Sequence, residues 1–371
     1  MIPLFKVAMA PDAHEHVARV LASGHIAQGP EVDIFEAELA FVMRLGTDCK
    51  IVAVNSGTTA IHMALMLAGV RPDDDVAVSP ITCAATIAPI VHLGARPLWI
   101  DVDPKTGLMD PGSLNWRLTS KTSAIIAIDW AGTPCDYAAI HEAAGGIPVI
   151  EDAAHAMLAR LPDGLPLGTL CDSHSHYVCH SLQAIKHLTT GDGGILITPP
   201  DQIERARRMR WFGLDRTKPR EQHEIDEVGG KWHMNDIAAA IGRANMQLLP
   251  NTLMRHKANA KRYCDAFGSL AERGLAQSWN PGSSWWMYTL IIDGDRGEFI
   301  KHMAEWGVEV SQVHRRNDQQ PAFRRAAGWQ RELPGVDLFA SRQINIPCGS
   351  WLSDVDVDHV IEAVSRWCKR G

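Results

Sequence analysis

Short apolar runs alternate with helix-length amphipathic segments across the first two-thirds of the chain, and no other feature restricts the fold as strongly. Candidate strands are Ile51–Val54, Val76–Ser79, Arg96–Ile100, Ala124–Ile128, Ile147–Ile150, Ser175–Cys179 and Ile195–Thr198. Between several of them lie helical patterns such as Thr59–Gly69, with Ile61, Met63, Ala64, Leu65 and Leu67. Strands alternating with helices predict an α/β fold with a largely parallel sheet covered on both faces.

After Gly194 the pattern changes. A basic stretch (Arg205, Arg207, Arg208, Arg210) leads into a polar loop, Asp215–Glu227, and then a helix from Asn235 to Leu249 that ends at Pro250. From there onward the sequence predicts a helix, a strand at Met287–Ile292 and a final helix at Asp354–Arg370. The expected organisation is a large domain over 1–249 and a smaller C-terminal α+β domain over 250–371. No internal repeat or low-complexity segment interrupts it.

Composition narrows the setting. The chain has 371 residues, 46% hydrophobic and 21% charged, which suits an ordinary globular protein. A net charge of −7 offers nothing to nucleic acid or to an acidic membrane surface. No apolar run reaches the roughly 18–20 residues of a membrane span. The start, Met-Ile-Pro-Leu-Phe-Lys-Val, lacks the pattern of a secretory signal. Eight scattered cysteines, several inside apolar runs, read as reduced thiols, so a cytoplasmic enzyme is expected.

Ligands of open α/β sheets gather at the carboxyl ends of strands, and three such ends carry chemistry. The first strand runs into Asn55-Ser56-Gly57-Thr58-Thr59 and a helix, a turn suited to a phosphate. A plain helix cap is the alternative there. The fifth strand leads into Glu151-Asp152-Ala153-Ala154-His155, whose acidic pair could cap a helix, bind a metal or hold a cation. The sixth leads through Ser181 to Lys186 and the turn Gly191-Asp192-Gly193-Gly194. A lysine among apolar residues would lose its charge more readily and become a usable nucleophile. A surface lysine beside a turn is the alternative.

In this order and spacing, Asn55–Ala60, Glu151–His155 and Ser181–Gly194 resemble the DegT/DnrJ/EryC1/StrS family of sugar aminotransferases. The segments Gly24–Pro30, Leu98–Pro104 and Gly230–Gly242 extend the likeness over nearly the whole chain. The resemblance implies a fold type I pyridoxal 5'-phosphate transferase with a seven-stranded sheet. It also implies that Lys186 carries the cofactor as a Schiff base and Asp152 pairs with the ring nitrogen. His155 would lie near the cofactor's 3-oxygen. Ser56, Gly57, Thr58 and Ser181 would hold the phosphate, helped by Lys231 from a second subunit. An active site shared within a homodimer follows from that last assignment.

The family reaction is ping-pong, moving an amino group from an amino acid, L-glutamate, to a nucleotide-linked keto-sugar. His314 and Arg315, in the segment Val313–Asp318, are the candidate substrate ligands, with Trp285, Trp286 and Tyr288 as possible lining or core. One departure is Cys83, which stands where many members stack an aromatic residue on the cofactor ring.

Four alternatives make different demands on the sequence. A nicotinamide dehydrogenase would need a Gly-x-Gly-x-x-Gly turn after the first strand, and none is there. Cys171, His174, His176, Cys179 and His180 cluster, yet their spacing matches no zinc pattern, so no metal is expected. The histidines read instead as hydrogen-bonded sheet residues. Within the family, dehydratases replace the lysine by histidine; here Lys186 is present with His187 beside it. A non-catalytic cofactor-binding regulator would be signalled by loss of Lys186 or Asp152, and both stand.

Overall fold

A computed structural model describes residues 1–46, 50–172, 176–328 and 330–369, with Asp172 described only in its backbone. All seven expected strands form: β1 (Lys50–Val54), β2 (Asp75–Val78), β3 (Arg96–Trp99), β4 (Thr122–Ile128), β5 (Val149–Asp152), β6 (His176–Ser181) and β7 (Gly194–Thr198). They lie side by side in the order β1-β7-β6-β5-β4-β2-β3. Pairs among β2 to β6 are parallel, while β7 runs antiparallel to both β1 and β6. A parallel neighbour needs a long crossover, but an antiparallel one can be reached directly. The stretch between β6 and β7 therefore turns back without a crossover helix, and it carries Lys186.

Alternate residues of each strand face opposite layers. Val52, Val54, Val76, Val78, Ile126 and Ile150 bury into one core with the helix Gly57–Leu67. Ile51, Ala53, Ala77, Ile125, Val149 and Ile197 bury into the other. A third core surrounds β8 (Tyr288–Ile291) and β9 (Gln343–Ile346), an antiparallel pair packed by the helices Leu249–Ala266 and Asp354–Cys368. The chain's start joins this last third, through an isolated bridge between Ile2 and Val308.

The boundaries shift where local chemistry decides them. The expected helix Asn235–Leu249 is observed as Asp236–Met246, and Pro250 opens the next helix instead of only ending the previous one. Proline in a first turn surrenders an N–H that has no helical acceptor there anyway. The fifth strand sits later than expected, and Asp152 pairs with Cys179 as its last residue. Ser175 and Arg370, the expected ends of two elements, lie outside the described residues.

His176 and His180 are fully buried sheet residues. His176 meets Glu151 Oε2 at 3.1 Å and His141 Nε2 at 3.0 Å, and His180 Nδ1 meets the Ala153 carbonyl at 3.0 Å. Cys179 faces the opposite core. His174 lies outside the described residues, and among those described no group of three or more His, Cys, Asp or Glu side chains is placed to hold a metal ion. Among them, too, no helix is long and apolar enough to cross a membrane.

Burial pulls the pKa of His180 and of His256 down to about 4. Each ring is neutral in the fold but protonates near 6.5 once unfolded, so the unfolded chain binds more protons and stability falls as pH drops below about 6.5. Between pH 7 and pH 5 each ring should account for about 2 kcal/mol of lost stability. Urea titrations at the two pH values measure this. A flat profile would show that the rings are already charged in the fold.

Candidate active site

Sheet register gathers the sequence motifs at one edge. Gly194 of β7 pairs with Val54 of β1 on one side and with Ser181 of β6 on the other. The turn after β1 is thereby drawn against Ser181. Only glycine fits at the contact: a Cβ on Gly57 would come within 2.9 Å of Ser181 Cβ, and one on Gly194 within 2.3 Å of the Ser56 carbonyl oxygen. Ser56 caps the helix, accepting from the Thr59 N–H at 3.1 Å. Its hydroxyl is thus engaged in a cap. The first-turn N–H groups of Gly57 and Thr58 have no acceptor among the described residues, as expected at a helix start, where they favour an anion. Ser181 Oγ accepts from the Gln183 N–H at 3.3 Å, which leaves its own proton to donate.

The acidic pair of the fifth strand is divided by strand alternation. Glu151 points to the face holding His176, and burial pushes its pKa up to about 8. Asp152 points to the site and is only 3% exposed. Thr86 donates to its Oδ2 at 2.6 Å and the Ala154 N–H to its Oδ1 at 3.2 Å. Burial raises the Asp152 pKa, while these two bonds and the positive charge of Lys186 oppose the rise. Thr86 went unnoticed in the sequence, since nothing marks one threonine of the helix Ala84–His92 as the partner of a carboxylate 66 residues away.

Lys186 follows a turn closed by its N–H to the Gln183 carbonyl at 2.9 Å. The residue is half-buried, and its amine is the enclosed end, with Nζ 3.6 Å from the centre of the Trp286 ring. Desolvation drives its pKa down to about 7, against the pull of Asp152 and Cys83. Trp286 is fixed by its indole N–H to the Ile185 carbonyl at 2.9 Å. Of the three aromatic residues near β8, then, Trp286 reaches the site, whereas Trp285 and Tyr288 belong to the third core. Cys83 is exposed beside Lys186, and the aromatic face over the lysine comes from Trp286.

His155 stacks on Trp286 at 4.0 Å between ring centres. His314 arrives beside it, Nε2 to Nε2 at 3.3 Å. The rest of the Val313–Asp318 segment diverges: Arg315 is exposed, and Arg316 grips Asp318 at 2.8 and 2.6 Å and also pairs with Asp337. His187 Nε2 is held at the Ser284 carbonyl, 3.1 Å away. Lys231 is exposed in a loop lying along the cradle, where Asn55 donates to the carbonyls of Lys231 at 3.2 Å and of Trp232 at 2.8 Å. His233 is committed within its own chain, stacked on Trp211 at 3.8 Å.

Pyridoxal phosphate fits this donor set. It requires an amine, a buried anion for its ring nitrogen and an anion cradle. The chain presents Lys186, the enclosed Asp152 carboxyl, and the Gly57–Thr58 turn kept clear of side-chain bulk against Ser181.

Comparison with known proteins agrees with the geometry. The sequence profile described as the DegT/DnrJ/EryC1/StrS aminotransferase family matches residues 8–365. The sugar aminotransferase CalS13 from Micromonospora echinospora is 34% identical, with a TM-score of 0.90 over 99% of this chain and 100% of that one. AtS13 from Actinomadura melliaura is 37% identical, with a TM-score of 0.89 over 99% and 98%. The spore coat polysaccharide biosynthesis protein SpsC of Bacillus subtilis is 30% identical over 94% of this chain and 92% of its own length. The chain belongs to the DegT/DnrJ/EryC1/StrS aminotransferase family and is a pyridoxal-phosphate-dependent sugar aminotransferase.

Proposed function

We propose that the protein moves an amino group from L-glutamate to the ketone of a nucleotide-linked sugar. The observation that carries this reading is the meeting of the Lys186 amine, its pKa lowered to about 7, with the buried Asp152 carboxyl at the end of one sheet. A base poised near neutrality can both take and return a proton. Lys186 anchors the cofactor, then moves a proton at the α-carbon of the donor and later at the sugar carbon being aminated. When bound, pyridoxal phosphate supplies an electron sink and carries the amino group between the two half-reactions. Asp152 keeps the proton on the ring nitrogen, held in place by Thr86. The Gly57 and Thr58 N–H groups and the Ser181 hydroxyl bind the phosphate. The presence of Lys186 supports amination over the dehydration known within the family.

Arg315, exposed at the mouth of the same segment that delivers His314, suits a substrate diphosphate. We read 1–249 as the cofactor domain and 250–371 as the domain that contributes substrate contacts. We also infer a cytoplasmic homodimer with shared sites. Exposed apolar residues Met9, Leu21, Ile34 and Phe41, the last 84% exposed, support an interface near the Lys231 loop's own helix. Purified enzyme given glutamate should release 2-oxoglutarate beyond one equivalent per site only when a nucleotide-linked keto-sugar is also present, and the product should carry the new amine on the sugar ring. Equal turnover with a free keto-sugar would sink the nucleotide assignment.

A further inference from the structure

His155 and His314 come from segments 159 residues apart, yet their rings lie within 6° of parallel with Nε2 atoms 3.3 Å apart. Both rings are held in that approach. Asn317 fastens the His314 loop to the turn after β2, donating to the Thr82 carbonyl at 2.7 Å and the Pro80 carbonyl at 3.2 Å. Gln343 donates to the His314 carbonyl at 3.2 Å. Trp286 covers one face of His155, and Trp130 packs edge-on against both imidazoles.

Two facing ring nitrogens at this distance form a hydrogen bond only when they share a single proton. Neither ring carries charge: burial lowers the pKa of both, to about 3 for His314, and Lys186 beside both rings and His187 near His155 add to the effect. The pair is therefore two neutral imidazoles, and the tautomer of one dictates that of the other. Of the two nitrogens outside that contact, His155 Nδ1 is enclosed and has no hydrogen-bond partner among the described residues. A ligand that brings an anionic oxygen to this nitrogen calls for a proton on Nδ1.

We propose that His314 is a positioning residue whose Nε2–H donates to His155 Nε2, fixing His155 as the tautomer that offers Nδ1–H to the cofactor's 3-oxygen. The proposal rests on the pyridoxal-phosphate reading of the site, with His155 beside that oxygen. It makes a loop from the last third of the chain a determinant of the cofactor's proton affinity. A donor to the oxygen disfavours holding a proton nearby, so losing it raises the pH at which the bound cofactor gives its proton up.

Nitrogen-15 NMR of histidine-labelled full-length protein tests the tautomer, first without cofactor, with His155→Gln assigning the signals. His155 should show a protonated Nδ1 and a bare Nε2. The pattern should become a mixture in His314→Phe and persist in His314→Gln, whose amide can still donate. In loaded enzyme, the pH midpoint of the cofactor's visible band should rise by about one unit, a tenfold change, in His314→Phe and stay near wild type in His314→Gln. A protonated His155 Nε2 in the wild type overturns the proposal even if the phenylalanine variant does not fold. An unchanged tautomer and midpoint in a folded His314→Phe overturns it too. If borohydride fixes the cofactor to a lysine other than Lys186, the cofactor reading fails and the oxygen contact with it, while the tautomer data still decide the imidazole pair.

Discussion

Replacing Lys186 with alanine should lower turnover by at least about 10⁴-fold, the scale of a lost general acid–base group, and more because the anchoring amine goes too. The phosphate cradle and Asp152 stay intact, so the variant should still bind pyridoxal phosphate, now without a covalent link. Borohydride followed by peptide mapping should mark Lys186 in the wild type and no lysine in the variant. The enclosed amine over Trp286 is the reason to expect one labelled site. Subunit mixing extends the same experiment. Lys231 is exposed on a loop along the cradle, whereas His233 is stacked inside its own chain, so Lys231→Glu is the cleaner second lesion. A heterodimer of inactive Lys186→Ala with impaired Lys231→Glu would hold one site free of both lesions if sites are shared. Partial recovery of activity after verified exchange is the expected result. Lys186→Ala turning over at a tenth of the wild-type rate would remove the lysine from its assigned role, and no recovery would confine each site to one chain.

The second large effect is at Asp152. Asp152→Asn preserves shape and can keep the Thr86 contact, but a neutral amide cannot hold a proton on the ring nitrogen. Turnover should fall by about 10² to 10³-fold, the range seen when one preorganised electrostatic partner is removed. Cofactor should remain attached to Lys186. The lysine's own pKa should shift as well: the Asp152 charge now opposes its depression, so removing that charge lets it drop below about 7. The acidic limb of the rate profile should move downward in pH with it. Wild-type turnover in Asp152→Asn would reduce the residue to a strand-end cap, the role its bond to the Ala154 N–H would then represent.

Stability and activity respond to acid through different groups. The fold should lose stability below about pH 6.5 because the unfolded chain takes up protons at His180 and His256 that the buried rings refuse, while the rate should follow Lys186 nearer neutrality. Measuring unfolding and turnover on one buffer series separates the two.

Much of this was legible in the linear chain, and the reason is locality. Strand and helix periods of two and 3.6 residues are set by neighbours, so the seven strands of the large sheet were found with their ends displaced by a few residues at most. Lys186, Asp152 and the Gly57 turn stood out because each is an unusual residue at the end of an apolar run. Cys83 could be flagged as a missing aromatic, but not that the Trp286 ring lies over the Lys186 amine.

Tertiary structure decided the rest. Register across β1, β7 and β6 set Gly57 against Ser181, a contact no spacing rule contains. The partner of Asp152 is a threonine, the aromatic face over Lys186 comes from Trp286 before β8, and His314 meets His155 instead of facing solvent with Arg315. The lowered pKa of Lys186 belongs to that assembly, because desolvation requires walls from several distant segments at once. Local sequence specifies which side chains are chemically able; only packing between segments far apart in the chain excludes the water that would keep them ordinary.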